Sequence, residues 1–585
     1  MRENDVLFFN LHRRYGNYKV DNSGFLGIYI LSAVLNDNGW QAQGYAGCLA
    51  EGKRLLDEAC EEGKVSMIGL YCDYDNITEN IFLAHYIKKT YNLPVIVGGP
   101  QATALTADFF RKSLCDAVVR YEGEQTVLEL TDYFLDGTGS LKAIKGISYL
   151  TDDKVIINPE REVIRNLDAL PFVNAECYLD IEHYRRQTFG ILTGRGCPFH
   201  CAFCHEGHHT KVVRFRSPEN VLVELKRYLQ YFPDEYTHFT IFDDTFTLIP
   251  KRVKAICEGI MELRGEREFD WFCEGHVHTL YEHPEMIDYI AKAGCQRIQL
   301  GIEAGTQRVL DAYGKNSTLE EIEVVVKKCR DAGIGEVYGN IIIGGAFFDR
   351  EIFEKDMAFA KHLLTIGEGT VELGVVPYWP LAETTITNRP QDFGIKIIDG
   401  DFVTSCGDYP QIETAELDRT DILYFVKKLT ENISQYMEYM LKNGLVPEKR
   451  ILGWFKRKRK GLWWHTLKMC APNIFSYYEL VSLKEGGQRK DLSEEEFGNA
   501  HPLRTVALSE QVKFKTEREW ELFGYTLSSL EEAVLIFSVG KLSVKEIIGR
   551  LKKDERFSEL TDLAAEVRKT LDTLERKYFI VYSRF

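Results

Sequence analysis

The run DVLFFN (5–10) is almost wholly apolar and predicts a buried strand. A glycine-bearing loop follows, and Leu26, Tyr29, Ile30, Ala33 and Val34 then recur on one face of a helix closed by Gly39. The alternation continues with strand VSMIGLY (65–71), helix ITENIFLAHYIKK (77–89), strand PVIVGG (94–99) and strand DAVVRY (116–121). Residues 146–185 break the rhythm with a hairpin pattern (GISYLTDDKVII) and the extended stretch DALPFV. A second strand–helix series starts at FGILTG (189–194). It runs through FTIFDD (239–244), FDWFCEG (269–275), RIQLGIE (297–303), YGNIIIGG (338–345) and VELGVVPY (371–378). Its first helix, 217–232, has Ser217 as N-cap, Pro218 at N1 and Glu219 in the first turn, with Val221, Leu225, Tyr228, Leu229 and Phe232 on its apolar face.

Strands alternating with helices imply parallel sheets, so the fold class is α/β. Residues 1–140 are expected to form a Rossmann-like or flavodoxin-like domain, 141–185 a connector, and 186–390 a partial (β/α)6 barrel. In both folds, ligands sit at the carboxyl ends of the strands. Past about residue 390 the pattern stops. Residues 391–525 read as mostly helical. Residues 526–585 read helix, helix, helix, strand, with Ser543 and Glu546 as a capping box, an order that resembles a small winged-helix module.

Composition narrows the function classes. The 585 residues are 45% hydrophobic and 27% charged, as in ordinary globular chains, and the formal net charge is −16. That acidity argues against nucleic acid or an anionic membrane as a partner. No run approaches the roughly 18 apolar residues of a membrane span, and MRENDVLFFN lacks the order of a signal peptide, so a cytoplasmic location is expected. Fourteen cysteines without an export signal then read as reduced thiols. The basic and aromatic segment 453–470 reads as a solvated turn beside a packed aromatic helix.

One group of cysteines is tightly spaced. GRGCPFHCAFCHEG places Cys197, Cys201 and Cys204 in a loop just after a strand. Thiolates suit zinc or iron–sulfur clusters, and His205 or His208 would supply a fourth zinc ligand. Position favours the cluster, because this loop sits at a barrel mouth. Three ligands on four irons leave one iron open to chelate the amino and carboxylate groups of a methionine moiety. C-x3-C-x2-C after the first barrel strand resembles the radical S-adenosylmethionine (SAM) superfamily over roughly residues 185–385. The resemblance implies that these cysteines ligate a [4Fe–4S] cluster, whose electron cleaves SAM to a 5′-deoxyadenosyl radical. It also implies that Asp243 of FDDTF hydrogen-bonds the SAM ammonium and that Glu303 of QLGIEAG meets the ribose hydroxyls. The strand bearing Gly339 and Gly344 would lie against adenine. Taken singly, either acid also reads as an N-cap or loop hydrogen bond.

Upstream, GGPQAT (98–103) and RYEGEQT (120–126) resemble the cobalamin-binding domain that precedes the barrel in one branch of that superfamily. The resemblance implies that Gly98, Gly99, Thr103, Glu122, Gly123 and Glu124 face the corrin; the loop 71–76, with Tyr71, Cys72 and Asn76, and the loop after the first strand are the two candidates to face the lower side of cobalt. A nucleotide site, a flavin site or a domain without ligand are the alternatives. Tyr121 departs from the branch, which has glycine at this place. NLHRRYG (10–16) departs too: Asn10 replaces an aspartate and Gly16 falls one place late, so His12 reads as a loop or surface residue. In CEGHVH (273–278), Glu274, His276 and His278 stand where the family often carries arginine. His276 is a candidate substrate-facing acid/base, with a core or surface role as the alternative. The resemblance as a whole implies a cobalamin-dependent methyltransferase. It would methylate an unactivated carbon of a peptide or natural-product precursor, using methylcobalamin and the deoxyadenosyl radical, with flavodoxin or ferredoxin as electron donor. A corrinoid enzyme performing a rearrangement, cyclisation or ring contraction is the first alternative; a corrinoid- or peptide-binding regulator is the second.

Overall fold

The computed structural model describes residues 5–12, 26–74, 76–101, 107–181, 189–205, 212–231, 238–266, 268–398, 410–457, 460–484, 486–516 and 519–583. The chain forms two compact units, one of residues 1–366 and 373–431, the other of 367–372 and 432–585.

The first unit begins with β1 (Val6–His12), α1 (Gly27–Asp37), β2 (Ala42–Cys48), α2 (Leu49–Glu61), β3 (Met67–Tyr71), α3 (Ile77–Thr90), β4 (Val95–Gly98), α4 (Ala107–Ser113), β5 (Ala117–Val119) and α5 (Glu124–Thr131). The hairpin β6 (Ile147–Thr151) and β7 (Lys154–Ile157) follows. The sheet order is β2-β1-β3-β4-β5-β6-β7, with β1 through β5 paired in parallel and the hairpin added antiparallel. All seven β1 residues are buried because helices cover both faces. Val6 and Phe8 pack with Tyr29 and Val127 on one side, Leu7 and Phe9 with Leu83 and Phe110 on the other. The chain reverses direction across the sheet between β1 and β3, which opens a crevice at their carboxyl ends.

Two elements here escape the sequence pattern. β2 (AQGYAGC) has no β-branched residue and carries two glycines, so neither it nor α2 stands out as a strand–helix pair. The hairpin, expected within a connector, extends the sheet instead, turning through Asp152 and Asp153 at φ 48° and 59°.

The second sheet of this unit has order β15-β14-β13-β12-β11-β8. Its strands are β8 (Phe189–Ile191), β11 (His238–Ile241), β12 (Asp270–Gly275), β13 (Cys295–Leu300), β14 (Glu336–Ile343) and β15 (Val371–Pro377). The pairs from β8 to β14 are parallel. A small ribbon, β9 (Gly194–Arg195) with β10 (Arg214–Phe215), leaves the end of β8. Helix Pro218–Tyr231 starts as its sequence demands, with Ser217 Oγ accepting from the Asn220 amide at 3.2 Å. Phe232 lies outside the described residues.

The second unit is less helical than its sequence suggests. Strands Gly486–Gly487, Ile580–Ser583 and His501–Arg504 form one antiparallel sheet, and strands Val512–Thr516, Glu519–Leu522 and Tyr525–Thr526 form another. Helices Ser529–Phe537, Val544–Leu551 and Leu563–Arg576 precede the last strand, and Ser543 and Glu546 form the anticipated capping box. Trp454 and Trp463 are buried with ring centroids 5.9 Å apart. Lys460 Nζ donates to the carbonyls of Trp454, Phe455 and Arg457 at 2.8–3.1 Å, so this lysine closes a helix end. No described helix is long and apolar enough to cross a membrane.

Candidate active site

Two adjacent acids at the end of β11 hold the cysteine loop. Asp243 is buried, and its Oδ1 accepts from the amides of Thr193 and Gly194 at 2.6 and 2.9 Å while its Oδ2 accepts from the Thr193 hydroxyl. Arg252 donates to the Thr193 carbonyl at 2.5 Å and lies 3.9 Å from Asp243 Oδ2. Both oxygens of Asp243 are therefore engaged in anchoring the loop. Its neighbour Asp244 accepts from the Gly196 amide at 2.9 Å and lines the open space beside the loop. Downstream, the Cys204 amide closes a turn on the Cys201 carbonyl at 3.0 Å, and the Ala202 amide donates to Tyr313.

This places the three thiols on one short loop at the carboxyl ends of the second sheet's strands. Cys201 is buried, and Cys197 and Cys204 are half-buried. Among the described residues, no three His, Cys, Asp or Glu side chains already converge on one point as ligands of a single ion. His205 lies on the wall of the neighbouring cavity with Nδ1 3.4 Å from the Ala382 carbonyl, and His208 falls outside the described residues.

Beside the thiols lies a buried ion pair that spacing does not reveal. Lys315 Nζ donates to Glu303 Oε1 at 2.8 Å. Burial alone would depress Lys315, but Glu303 and the Cys201 and Cys204 sulfurs outweigh it and hold the amine above its ordinary value. Glu303 has φ 60°, and its backbone bridges to β14 through Asn340 and Ile342. The next turn is fixed by Asp356, whose Oδ1 accepts from the Gly305 amide at 2.6 Å. Burial pushes Asp356 up to about 7 and Glu274, at the end of β12, also up to about 7. His276 is buried with its ring stacked on Phe199, centroids 3.6 Å apart. Burial pushes it down to about 3, so the imidazole is neutral near pH 7. Gly339 fits closely under Ile302, and Gly344 (φ 80°) faces Ile412 and Ile422, an apolar cover.

A cavity of about 430 Å³ lies between the ends of β1, β3, β4 and β5 and the start of the cysteine loop. Phe8, Leu70, Ile96 and Val119 give it apolar walls suited to the face of a flat macrocycle. Gly99 at its floor has φ 117°, and a Cβ there would lie 2.5 Å from the Cys72 carbonyl oxygen. Tyr71, Gly98, Gly99, Glu122, Gly123 and Glu124 all line this cavity, and so do Arg195, Gly196 and Asp244 beside the cysteines. Glu122 binds Arg214 at 2.6 Å and Arg195 at 3.3 Å, and Glu124 binds Arg195 at 2.5 Å. Burial raises Glu122, but the two arginines outweigh it and hold the carboxyl below its usual range.

Other expected corrin contacts do not gather here. Cys72 is fully buried in the helix-facing core. Asn76 is spent on structure: its amide donates to Asn10 Oδ1 and the Tyr71 carbonyl, and its Oδ1 accepts from the Asp73 amide. Thr103 lies outside the described residues. His12, read as a loop or surface residue, is instead buried at the end of β1, where it registers with Cys48 of the edge strand.

Residues 191–360 match the family model of the radical SAM superfamily and residues 24–131 that of the B12 binding domain. An uncharacterized methyltransferase of Pyrococcus horikoshii is 33% identical over 293 residues, 49% of this chain and 59% of that protein. The anaerobic magnesium-protoporphyrin IX monomethyl ester cyclase of Cereibacter sphaeroides is 25% identical over 271 residues, 44% of each. The chain thus spans about half the length of these curated relatives. Among solved structures, the cobalamin-dependent SAM radical enzyme OxsB, with aqua-cobalamin and SAM bound, aligns with TM-score 0.61 at 16% identity, over 98% of this chain and 80% of that one. The methyltransferase TsrM of Kitasatospora setae, with cobalamin and a [4Fe–4S] cluster bound, aligns with TM-score 0.56 at 16% identity, over 67% and 77%. A cysteine loop at the end of β8, a glycine-floored cavity before it and two family matches in that order agree: the chain carries a B12-binding domain followed by a radical SAM domain, and these domains imply a [4Fe–4S] cluster, SAM and cobalamin as cofactors.

Proposed function

We propose that this chain is a methyltransferase that methylates an unactivated carbon of a peptide or natural-product precursor. When bound, the cluster and SAM supply a 5′-deoxyadenosyl radical for hydrogen abstraction, and the corrinoid supplies methyl-transfer chemistry that SAM, an electrophile, cannot perform on such a carbon. The observation that carries the reading is the single cavity walled on one side by Gly98, Gly99 and Glu122 and on the other by Arg195, Gly196 and Asp244. Two cofactors served by one space can act on one substrate. Cys197, Cys201 and Cys204 would hold three irons. Asp243 and Asp244 would keep their loop in register, and Glu303 with Lys315 would orient the polar groups of SAM. The partial barrel would house the substrate. A flavodoxin or ferredoxin would deliver the electron.

The test is anaerobic reconstitution of the full chain with iron, sulfide and hydroxocobalamin. SAM, a reductant and candidate substrates encoded by neighbouring genes are then added. S-adenosylhomocysteine and 5′-deoxyadenosine should both accumulate. 5′-Deoxyadenosine alone would favour a second reading, a corrinoid-dependent cyclisation or rearrangement, to which the relatives named as cyclases point.

A further inference from the structure

Tyr121 occupies a backbone position that bulky L-residues rarely accept, at φ 63°. Its neighbours hold it there. The Arg120 amide donates to the Gly146 carbonyl at 2.8 Å, and Glu122 is fixed by Arg214 at 2.6 Å. A strained residue persists only where flanking structure over-determines it, and such residues cluster at ligand sites. Tyr121 sits on the cavity wall at the end of β5, 37% exposed, with its hydroxyl donating to Glu160 Oε1 at 3.3 Å. Glycine would relieve the backbone, so the ring is what the position retains.

We propose that Tyr121 is a corrinoid-contacting residue, whose ring on the cavity wall is a face for the bound macrocycle. This rests on the assignment of the cavity to cobalamin and adds a residue at the one place where the glycine-rich loop carries an aromatic side chain. The contact is apolar and face-on, so it depends on the ring more than on the hydroxyl.

The test is cobalamin affinity of the full chain, followed by equilibrium dialysis and the absorbance bands of the bound corrinoid. Tyr121→Gly and Tyr121→Asn both remove the ring, and both residues tolerate a left-handed backbone. Each should raise Kd roughly tenfold, the size of one aromatic face contact, while the thermal midpoint of the cofactor-free protein holds or rises. Tyr121→Phe should stay within about threefold of the parent. Ring-less variants that bind within about threefold of the parent overturn the proposal, as does a loss in Tyr121→Phe equal to that in Tyr121→Gly. A parent chain that takes up no corrinoid overturns the cavity assignment itself and this proposal with it, a result distinct from equal binding by parent and variants.

Discussion

The crevice of the amino-terminal sheet and the mouth of the second sheet both lie at carboxyl ends of parallel strands, yet they are built in opposite ways. The crevice is made by leaving atoms out. Gly98 and Gly99 clear its floor, its walls are mainly apolar, and two of its carboxylates, Glu122 and Glu124, are paired off with arginines. The mouth is made by putting charge in. Asp243, Arg252, Glu303 and Lys315 are buried or nearly so, and each is satisfied by a neighbour. A large rigid ligand needs room and a conforming surface, whereas a small polar ligand on a cluster needs fixed dipoles. The same topological rule thus yields a cradle in one case and an electrostatic site in the other.

If the two regions work separately, damage to one should spare the other. Cys201→Ala should reduce 5′-deoxyadenosine formation to background and lower bound iron, while cobalamin uptake stays at the parental level; a parallel loss of cobalamin would break the distinction. Asp243→Ala comes next, because it strands two backbone amides and the Arg252 guanidinium in a buried place. A loss of about 3–5 kcal/mol is expected, read by chemical denaturation, together with incomplete iron loading. Gly99→Ala should cost about 2–3 kcal/mol from its positive φ and the Cys72 clash, abolish cobalamin uptake and leave the cluster intact.

A last effect concerns pH. Glu274 and Asp356 have folded pKa values raised to about 7 from 4.5 and 3.8, so between those limits the folded protein holds protons that the unfolded chain releases. Their stabilising protonation is complete below the unfolded values and is lost as pH rises through about 7, at up to about 1.4 kcal/mol per pH unit for each group. The thermal midpoint of the cofactor-free protein should fall from pH 5 to pH 7, and Glu274→Gln and Asp356→Asn should each flatten that decline. An unchanged slope in both variants would mean that the mouth is wetter than its geometry indicates.

Periodicity carried much of the fold. The apolar runs of β1, β3 and β4 and of the six strands of the second sheet are legible because both faces of a parallel strand are covered. β2 was not legible, since AQGYAGC carries no apolar alternation and becomes a strand only by pairing with β1 over seven residues. The strand His501–Arg504 was missed for the same reason: a short antiparallel segment takes its shape from a partner far along the chain, here Ile580–Ser583.

The sequence by itself determined the three-cysteine loop, its place after a strand and the glycine-rich domain before it, because ligand spacing and glycine depend on neighbours a few residues apart. Tertiary structure decided what the remaining polar groups do. It turned Asp243 into an anchor and put Asp244 on the cavity wall. It paired Lys315 with Glu303 and spent Asn76 on the backbone. A carboxylate or amine is defined by whichever partner satisfies it in the interior, and that partner arrives from another strand.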